Sequence, residues 1–71
     1  SLGECVVGII GMGNIGRAVA RRLSAFGARI LGNDPVIPCQ EFLQAYKFEM
    51  VDKSQLLKES DIVKVNVLYQ G

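Results

Sequence analysis

The sequence has no histidine and no tryptophan, and it has only two cysteines, Cys5 and Cys39. Without histidine, the chain lacks the side chain that most often serves as a general acid or base. Two cysteines outside a C-x-x-C pair do not form a disulfide scaffold, so we expect two reduced, buried thiols and a cytoplasmic location. No apolar run approaches the ~20 residues that cross a bilayer, and the first residues do not resemble a secretory signal. We therefore expect no membrane association.

An excess of one sign of charge is also missing. Lysine and arginine total 8, aspartate and glutamate total 7, and the formal net charge is +1. A nucleic-acid-binding protein normally has a basic excess or stripe, so we expect no nucleic-acid partner. Hydrophobic residues make up 49% of the 71 positions, which is typical of a folded chain and sufficient for one small domain.

Short apolar runs alternate with helical patterns along the chain. Runs rich in β-branched residues predict strands, and apolar residues at intervals of three or four predict helices. Predicted strands cover residues 5–10, 28–32, 48–51 and 61–67; predicted helices cover 14–26, begin at Pro38, and follow an N-cap at Asp52. Such alternation is typical of parallel strands joined by right-handed crossovers. We predict an α/β fold: a Rossmann-type β-α-β-α-β-α-β half of a doubly wound parallel sheet, with strand order 3-2-1-4.

Two patterns predict where the core lies and where it stops. Ile15, Val19, Leu23 and Phe26 recur at helical spacing, so we expect this stripe to face the core. Lys64 interrupts the valines of the last strand. Because a lysine on a covered parallel strand is costly unless its ammonium group reaches water, we expect this part of the sheet to be partly open.

A G-x-G-x-x-G pattern, with the letters GMGNIG, joins the first predicted strand to the first predicted helix. In this context Gly11 permits a sharp turn, Gly13 lets the backbone approach a pyrophosphate, and Gly16 lets the helix pack closely on the sheet. Asn14 and Ile15 would contribute main-chain N–H groups at the positive end of the helix. The pattern therefore predicts a dinucleotide-binding loop.

An acidic residue follows at the end of the second predicted strand. Asp34 lies about 20 residues after Gly13, where dinucleotide-binding proteins place the carboxylate that accepts hydrogen bonds from the adenosine ribose. A carboxylate here would repel a 2′-phosphate, so the sequence favours NAD over NADP. Two alternatives stay open: Asp34 and Pro35 form an ordinary turn, or the loop belongs to a methyltransferase that binds S-adenosylmethionine.

Four segments extend this pattern to a known family. Residues 7–17, 23–27, 31–35 and 56–63 resemble the NAD-binding domain of the D-isomer-specific 2-hydroxyacid dehydrogenases, a family that includes phosphoglycerate dehydrogenase. The resemblance implies that the glycine loop holds the NAD pyrophosphate and that Asp34 binds the ribose. It also implies that Pro35 borders the adenine and that Asn66 and Val67 line the cofactor.

The resemblance further implies an oxidoreductase that transfers hydride between NAD and a 2-hydroxy or 2-keto acid such as 3-phosphoglycerate. The arginine, glutamate and histidine that this family uses for catalysis have no counterpart here, so no catalytic residue is assigned. We expect residues 1–71 to form one partial dinucleotide-binding domain without a substrate domain and without a metal site. The alternative is a stand-alone nucleotide-binding module that forms a homodimer through an exposed sheet edge.

Overall fold

Strands and helices alternate in the computed structural model, which describes residues 5–11 and 13–66. The elements are β1 (Val6–Ile10), α1 (Gly13–Ala25), β2 (Arg29–Asn33), α2 (Gln40–Ala45), β3 (Phe48–Met50), α3 (Lys53–Glu59) and β4 (Ile62–Val65). The predicted β-α-β-α-β-α-β order is confirmed. None of these helices, within the described part of the chain, is long and apolar enough to span a membrane.

The four strands form one parallel sheet in the order β3-β2-β1-β4. This arrangement confirms the predicted strand order. The chain runs outward from β1 to β3 and then crosses back to place β4 on the other side of β1. The direction in which successive strands are added to the sheet therefore reverses at β1. In open α/β sheets, ligands bind at the carboxyl ends of the strands at such a point.

One hydrophobic core lies between the central strands and helices α1 and α2. Its buried members are Val7, Ile9, Ala20, Ala28, Ile30 and Phe48. Val19 and Leu23 of the predicted helical stripe pack against this core, as expected. The prediction was wrong for Phe26, which is 66% exposed.

The end of α1 explains the exposure of Phe26. Gly27 has a φ of 81°, and its N–H donates to the Ser24 carbonyl at 2.9 Å. The Ala28 N–H donates to the Leu23 carbonyl at 3.2 Å, which completes a glycine-terminated helix end. Because the helix has ended before Phe26, the helical spacing no longer directs that side chain toward the core.

Helix α3 covers the opposite face of the sheet. Asp52 is its N-cap, as predicted, and its carboxylate accepts a hydrogen bond from the Gln55 N–H at 2.7 Å. Leu56 is fully buried. A Cβ added to Gly8 would lie 2.5 Å from Leu56 Cδ2, so the glycine allows α3 to pack directly on β1.

Several element boundaries differ by one or two residues from the sequence prediction, and two of these differences have a clear structural cause. Helix α2 begins at Gln40 and not at Pro38, because the N-cap is Cys39 in an extended conformation. Strand β2 continues through Asn33, one residue beyond the predicted end, because Asn33 pairs with Ile10.

Strand β4 is the most exposed strand of the sheet. All four of its residues are exposed, including Lys64, which confirms the prediction of a partly open face. The helices pack mainly on β1, β2 and β3, so the apolar side chains of β4 receive little cover.

Candidate cofactor-binding site

The glycine loop leaves the carboxyl end of β1 at Gly11. Gly11 has a φ of 83°, a conformation that residues with a Cβ rarely adopt. A Cβ at this position would also collide with the main-chain oxygen of Asn66. This is the sharp turn that the glycine pattern predicts, and two independent constraints require glycine there.

Gly13 and Gly16 have opposite surroundings. Gly13 has a φ of 45° and is exposed, and no heavy atom of the described residues lies within 4 Å of an added Cβ. A Cβ at Gly16 would lie 3.1 Å from the Gly11 carbonyl oxygen and 3.5 Å from Ile9 Cγ2. Gly13 thus leaves the backbone open to an approaching group, whereas Gly16 lets α1 pack closely on β1.

The first turn of α1 provides the electrostatic part of the site. Helix α1 begins at Gly13, and Asn14 and Ile15 lie in its first turn, which contains no acidic residue. The N–H groups of a first helical turn have no partner within the helix, and the helix dipole adds roughly half a positive charge there. An anionic group placed over the glycine loop would therefore be stabilised.

Arg17 follows this turn and points toward α2. Its Cζ lies 5.8 Å from the centre of the Phe42 ring, within the range of a cation–π contact. Its buried Nε has no hydrogen-bond partner among the described residues. In this conformation the guanidinium group connects α1 with α2.

Asp34 lies directly after β2 at the same edge of the sheet. Its Oδ1 accepts a hydrogen bond from the Val36 N–H at 2.7 Å, which is the Asp-Pro turn considered as an alternative. Asp34 is half-buried, and Pro35 beside it is exposed. The turn therefore holds the carboxylate at the carboxyl edge of the sheet, where a ribose role would require it.

Asn66 connects β4 with the glycine loop. Its N–H donates to the Ile10 carbonyl at 2.8 Å, and its side-chain Nδ2 donates to the Gly11 carbonyl at 3.0 Å. The structure thus brings Asn66 to the loop, as the prediction of a shared site requires. Val67, the other residue predicted on this segment, lies outside the described residues.

Asn33 is a residue of this edge that the sequence analysis did not single out. Its main-chain oxygen accepts a hydrogen bond from the Gly11 N–H at 2.8 Å, and its Nδ2 donates to the Val51 carbonyl at 2.9 Å. The only signal in the sequence was its position in the turn before Asp34. That position predicts a loop and not the contact with Gly11.

The site contains no recognisable metal centre within residues 5–11 and 13–66, where no three acidic or cysteine side chains gather in a ligating arrangement. What the edge does bring together is the glycine loop, the start of α1 and the Asp34 turn. These groups can bind and orient an anionic nucleotide.

Comparison with known proteins also indicates a nucleotide-binding domain. Residues 1–70 match the family model described as the D-isomer specific 2-hydroxyacid dehydrogenase, NAD binding domain. Over 62 residues, 86% of this chain, the sequence is 40% identical to the D-3-phosphoglycerate dehydrogenase of Methanocaldococcus jannaschii, and it covers 12% of that protein. It is 48% identical over 61 residues, again 86% of this chain, to the glyoxylate reductase of Korarchaeum cryptofilum, of which it covers 18%.

A solved structure shows the same architecture. The NAD-complexed form of the D-isomer specific 2-hydroxyacid dehydrogenase from Lactobacillus delbrueckii ssp. bulgaricus superimposes with a TM-score of 0.84 at 36% identity. The match covers 96% of this chain and 20% of that protein. The chain therefore spans between 12% and 20% of the length of these three proteins.

Proposed function

The chain belongs to the D-isomer-specific 2-hydroxyacid dehydrogenase family as part of its NAD-binding domain, and we propose that its glycine loop binds the NAD pyrophosphate. This assignment rests on the surroundings of Gly13. The residue is exposed and leaves open space in front of the backbone at the start of α1. Main-chain N–H groups of Asn14, Ile15 and Gly16 would donate to the phosphate oxygens. Gly11 provides the turn that directs the chain into this helix.

The adenosine half of NAD would lie over the end of β2. Asp34 would accept hydrogen bonds from the ribose hydroxyls, and its charge would disfavour the 2′-phosphate of NADP. The orientation of the Asp34 carboxylate by the Val36 N–H supports this role. Pro35 is exposed next to it and would border the adenine, while Asn66 and Val67 would line the far side of the cofactor.

The whole protein would be an oxidoreductase acting on D-2-hydroxy acids. The relatives include proteins named as D-3-phosphoglycerate dehydrogenase, hydroxypyruvate reductase and glyoxylate reductase, which supports a 2-hydroxy or 2-keto acid substrate such as 3-phosphoglycerate. When bound, NAD supplies the hydride chemistry. The residues of this chain would bind and orient the cofactor, and none of them is assigned a proton-transfer role.

The first test places a methyl group in front of the loop. We expect Gly13→Ala to weaken NAD binding by about tenfold or more, because the added Cβ would occupy the space through which the pyrophosphate approaches. NAD titration of the full chain by calorimetry measures this effect. Unchanged affinity in a folded Gly13→Ala variant would contradict the pyrophosphate site.

The second test separates the ribose role of Asp34 from its turn. Asp34 and Asp52 each accept a backbone N–H at 2.7 Å, so Asp52→Ala is a matched control for the loss of such a bond. We expect Asp34→Ala to weaken NAD binding by about tenfold or more, since hydrogen bonds to a charged group are lost, whereas Asp52→Ala leaves it unchanged. Equal affinity in the two variants would remove the ribose role. Competition with S-adenosylmethionine tests the methyltransferase alternative, and we expect none.

The exposed edge supports a second proposal, that two copies associate through β4. Ile62 and Val65 are 54% and 53% exposed, and an uncovered edge strand can pair with another chain. Pairing of the two β4 strands about a two-fold axis would join the sheets of both copies into one continuous sheet. This is the homodimer expected of a stand-alone module. We expect sedimentation to show a dimer that Val65→Lys dissociates and that Phe26→Lys, at another exposed apolar position, preserves. A monomer at high micromolar concentration would refute this proposal.

We also propose a cytoplasmic location for the protein. Both cysteines are free thiols, which is the usual state in a reducing compartment. The expectation that they are buried was wrong, because Cys5 is half-buried and Cys39 is exposed. Cell fractionation of the tagged protein tests this proposal, and recovery outside the cytoplasm would contradict it.

A further inference from the structure

Asn66 lies between β4 and the glycine loop and is hydrogen-bonded to both Ile10 and Gly11. We propose that it is a positioning residue, which fixes the conformation of Gly11 and thereby sets the affinity of the loop for a pyrophosphate. This inference rests on the proposed function and goes beyond it, since it assigns to Asn66 an action on the loop in addition to its place beside the cofactor.

Both polar main-chain groups of Gly11 are held by asparagines from neighbouring strands. The Gly11 N–H donates to the main-chain oxygen of Asn33 at 2.8 Å. The Gly11 carbonyl accepts a hydrogen bond from Asn66 Nδ2 at 3.0 Å. The first of these bonds uses only the backbone and any residue at position 33 could supply it, whereas the second depends on the side chain at position 66.

The position of Asn66 is itself fixed by the sheet. Its N–H donates to the Ile10 carbonyl at 2.8 Å, one step beyond the pairing of Ile10 with Val65. Its Nδ2 also lies 3.3 Å from the place where a Cβ of Gly16 would be. The amide group therefore lies between the turn at Gly11, to which it is hydrogen-bonded, and the start of α1 near Gly16.

A glycine turn has a particular need for such support. Glycine loses more conformational entropy on ordering than any other residue, so a loop of glycines is preorganised only if other groups hold it. Without the Asn66 bond, binding a pyrophosphate would have to order Gly11 at the same time, which would reduce affinity. Adenosine lacks a phosphate and would not depend on the order of this loop.

Asn33 provides a matched control for this idea. Its side chain, like that of Asn66, is half-buried and donates from Nδ2 to a main-chain carbonyl, that of Val51, at 2.9 Å. Removing it costs a comparable hydrogen bond at the same edge of the sheet, but the backbone bond between Asn33 and Gly11 is retained.

The experiment measures the affinities of ADP and adenosine for the full chain and for Asn66→Ala, Asn66→Asp and Asn33→Ala. We expect Asn66→Ala to lower the ratio of ADP affinity to adenosine affinity about tenfold, the effect of one lost hydrogen bond. Asn66→Asp should lower it further at neutral pH, because a carboxylate cannot donate to the Gly11 carbonyl and repels the phosphates. Asn33→Ala should leave the ratio unchanged.

A spectroscopic measurement without ligand completes the test. Loss of the bond should shift the Gly11 carbonyl carbon resonance in both Asn66 variants, but not in Asn33→Ala. If the original chain binds ADP and the ratio is the same in Asn66→Ala, this inference is overturned while the proposed function stands. If the original chain binds neither ADP nor NAD at saturating concentration, the proposed function and this inference fall together.

Discussion

Strands β1 and β4 lie side by side, paired from Val7 with Ile62 to Ile10 with Val65, but their environments differ. The middle of β1 is buried, whereas every residue of β4 is exposed. Both strands consist mainly of valine and isoleucine, so hydrophobicity alone does not decide burial here. The position of the helices does, because they pack mainly on β1, β2 and β3.

The residues of the candidate site also divide between the buried strand β1 and the exposed strand β4. The turn at Gly11 leaves the buried strand at a point where an added Cβ would collide with the main-chain oxygen of Asn66. Asn66 follows the exposed strand and reaches the loop through one side-chain hydrogen bond. The site thus combines a turn that leaves the buried strand with a support that follows the least covered strand, and four predictions test this contrast.

The largest effect is expected in helix α3, where two neighbouring leucines occupy opposite environments. Leu56 is fully buried and Leu57 is 59% exposed. We expect Leu56→Ala to lower the free energy of unfolding by about 2–5 kcal/mol, because a cavity forms under α3. Leu57→Ala should cost less than about 1 kcal/mol. Urea unfolding measures both, and equal losses would show that α3 does not cover the sheet as described.

A smaller effect is expected from a methyl group added to the centre of β1. In Gly8→Ala the new Cβ would lie 2.5 Å from Leu56 Cδ2, so α3 would have to move. We expect a loss of roughly 1–3 kcal/mol in the free energy of unfolding, typical of overpacking. Combining Gly8→Ala with Leu56→Ala should cost less than the sum of the two. Strict additivity would contradict direct packing of α3 on Gly8.

The N-cap of α3 provides a third test of the covered face. Asp52→Ala removes the hydrogen bond to the Gln55 N–H, and we expect a loss of about 1 kcal/mol. Asp52→Asn should retain most of the stability, because its side-chain oxygen can still accept that bond. Thermal unfolding of the two variants separates the lost cap from the lost charge, and identical losses would contradict the capping role.

The smallest effect is expected at the edge. Val65→Ala removes apolar atoms from a residue that is 53% exposed, so we expect a change of less than about 0.5 kcal/mol in the free energy of unfolding. The measurement should be made at low micromolar concentration, where self-association is weakest. A loss comparable to that of Leu56→Ala would show that the edge is covered in solution.

The sequence predicted the order of the elements and the strand order of the sheet correctly. It also placed the N-cap at Asp52 and the turn at Gly11, because both depend on residues close together in the chain. It was wrong about Phe26, since helical spacing predicts a buried face only while the helix continues. It did not anticipate that Asn33 and Asn66 would both hold Gly11, because neither contact has a local signal.

The chain by itself therefore determined the elements, the glycine loop and the position of the acid after β2, since these follow from periodicity, turn residues and spacing. The tertiary structure alone decided which apolar strand is covered and which side chains support the loop. The bond between Asn66 and Gly11 joins residues 55 positions apart, and such a contact exists only once β4 has paired with β1.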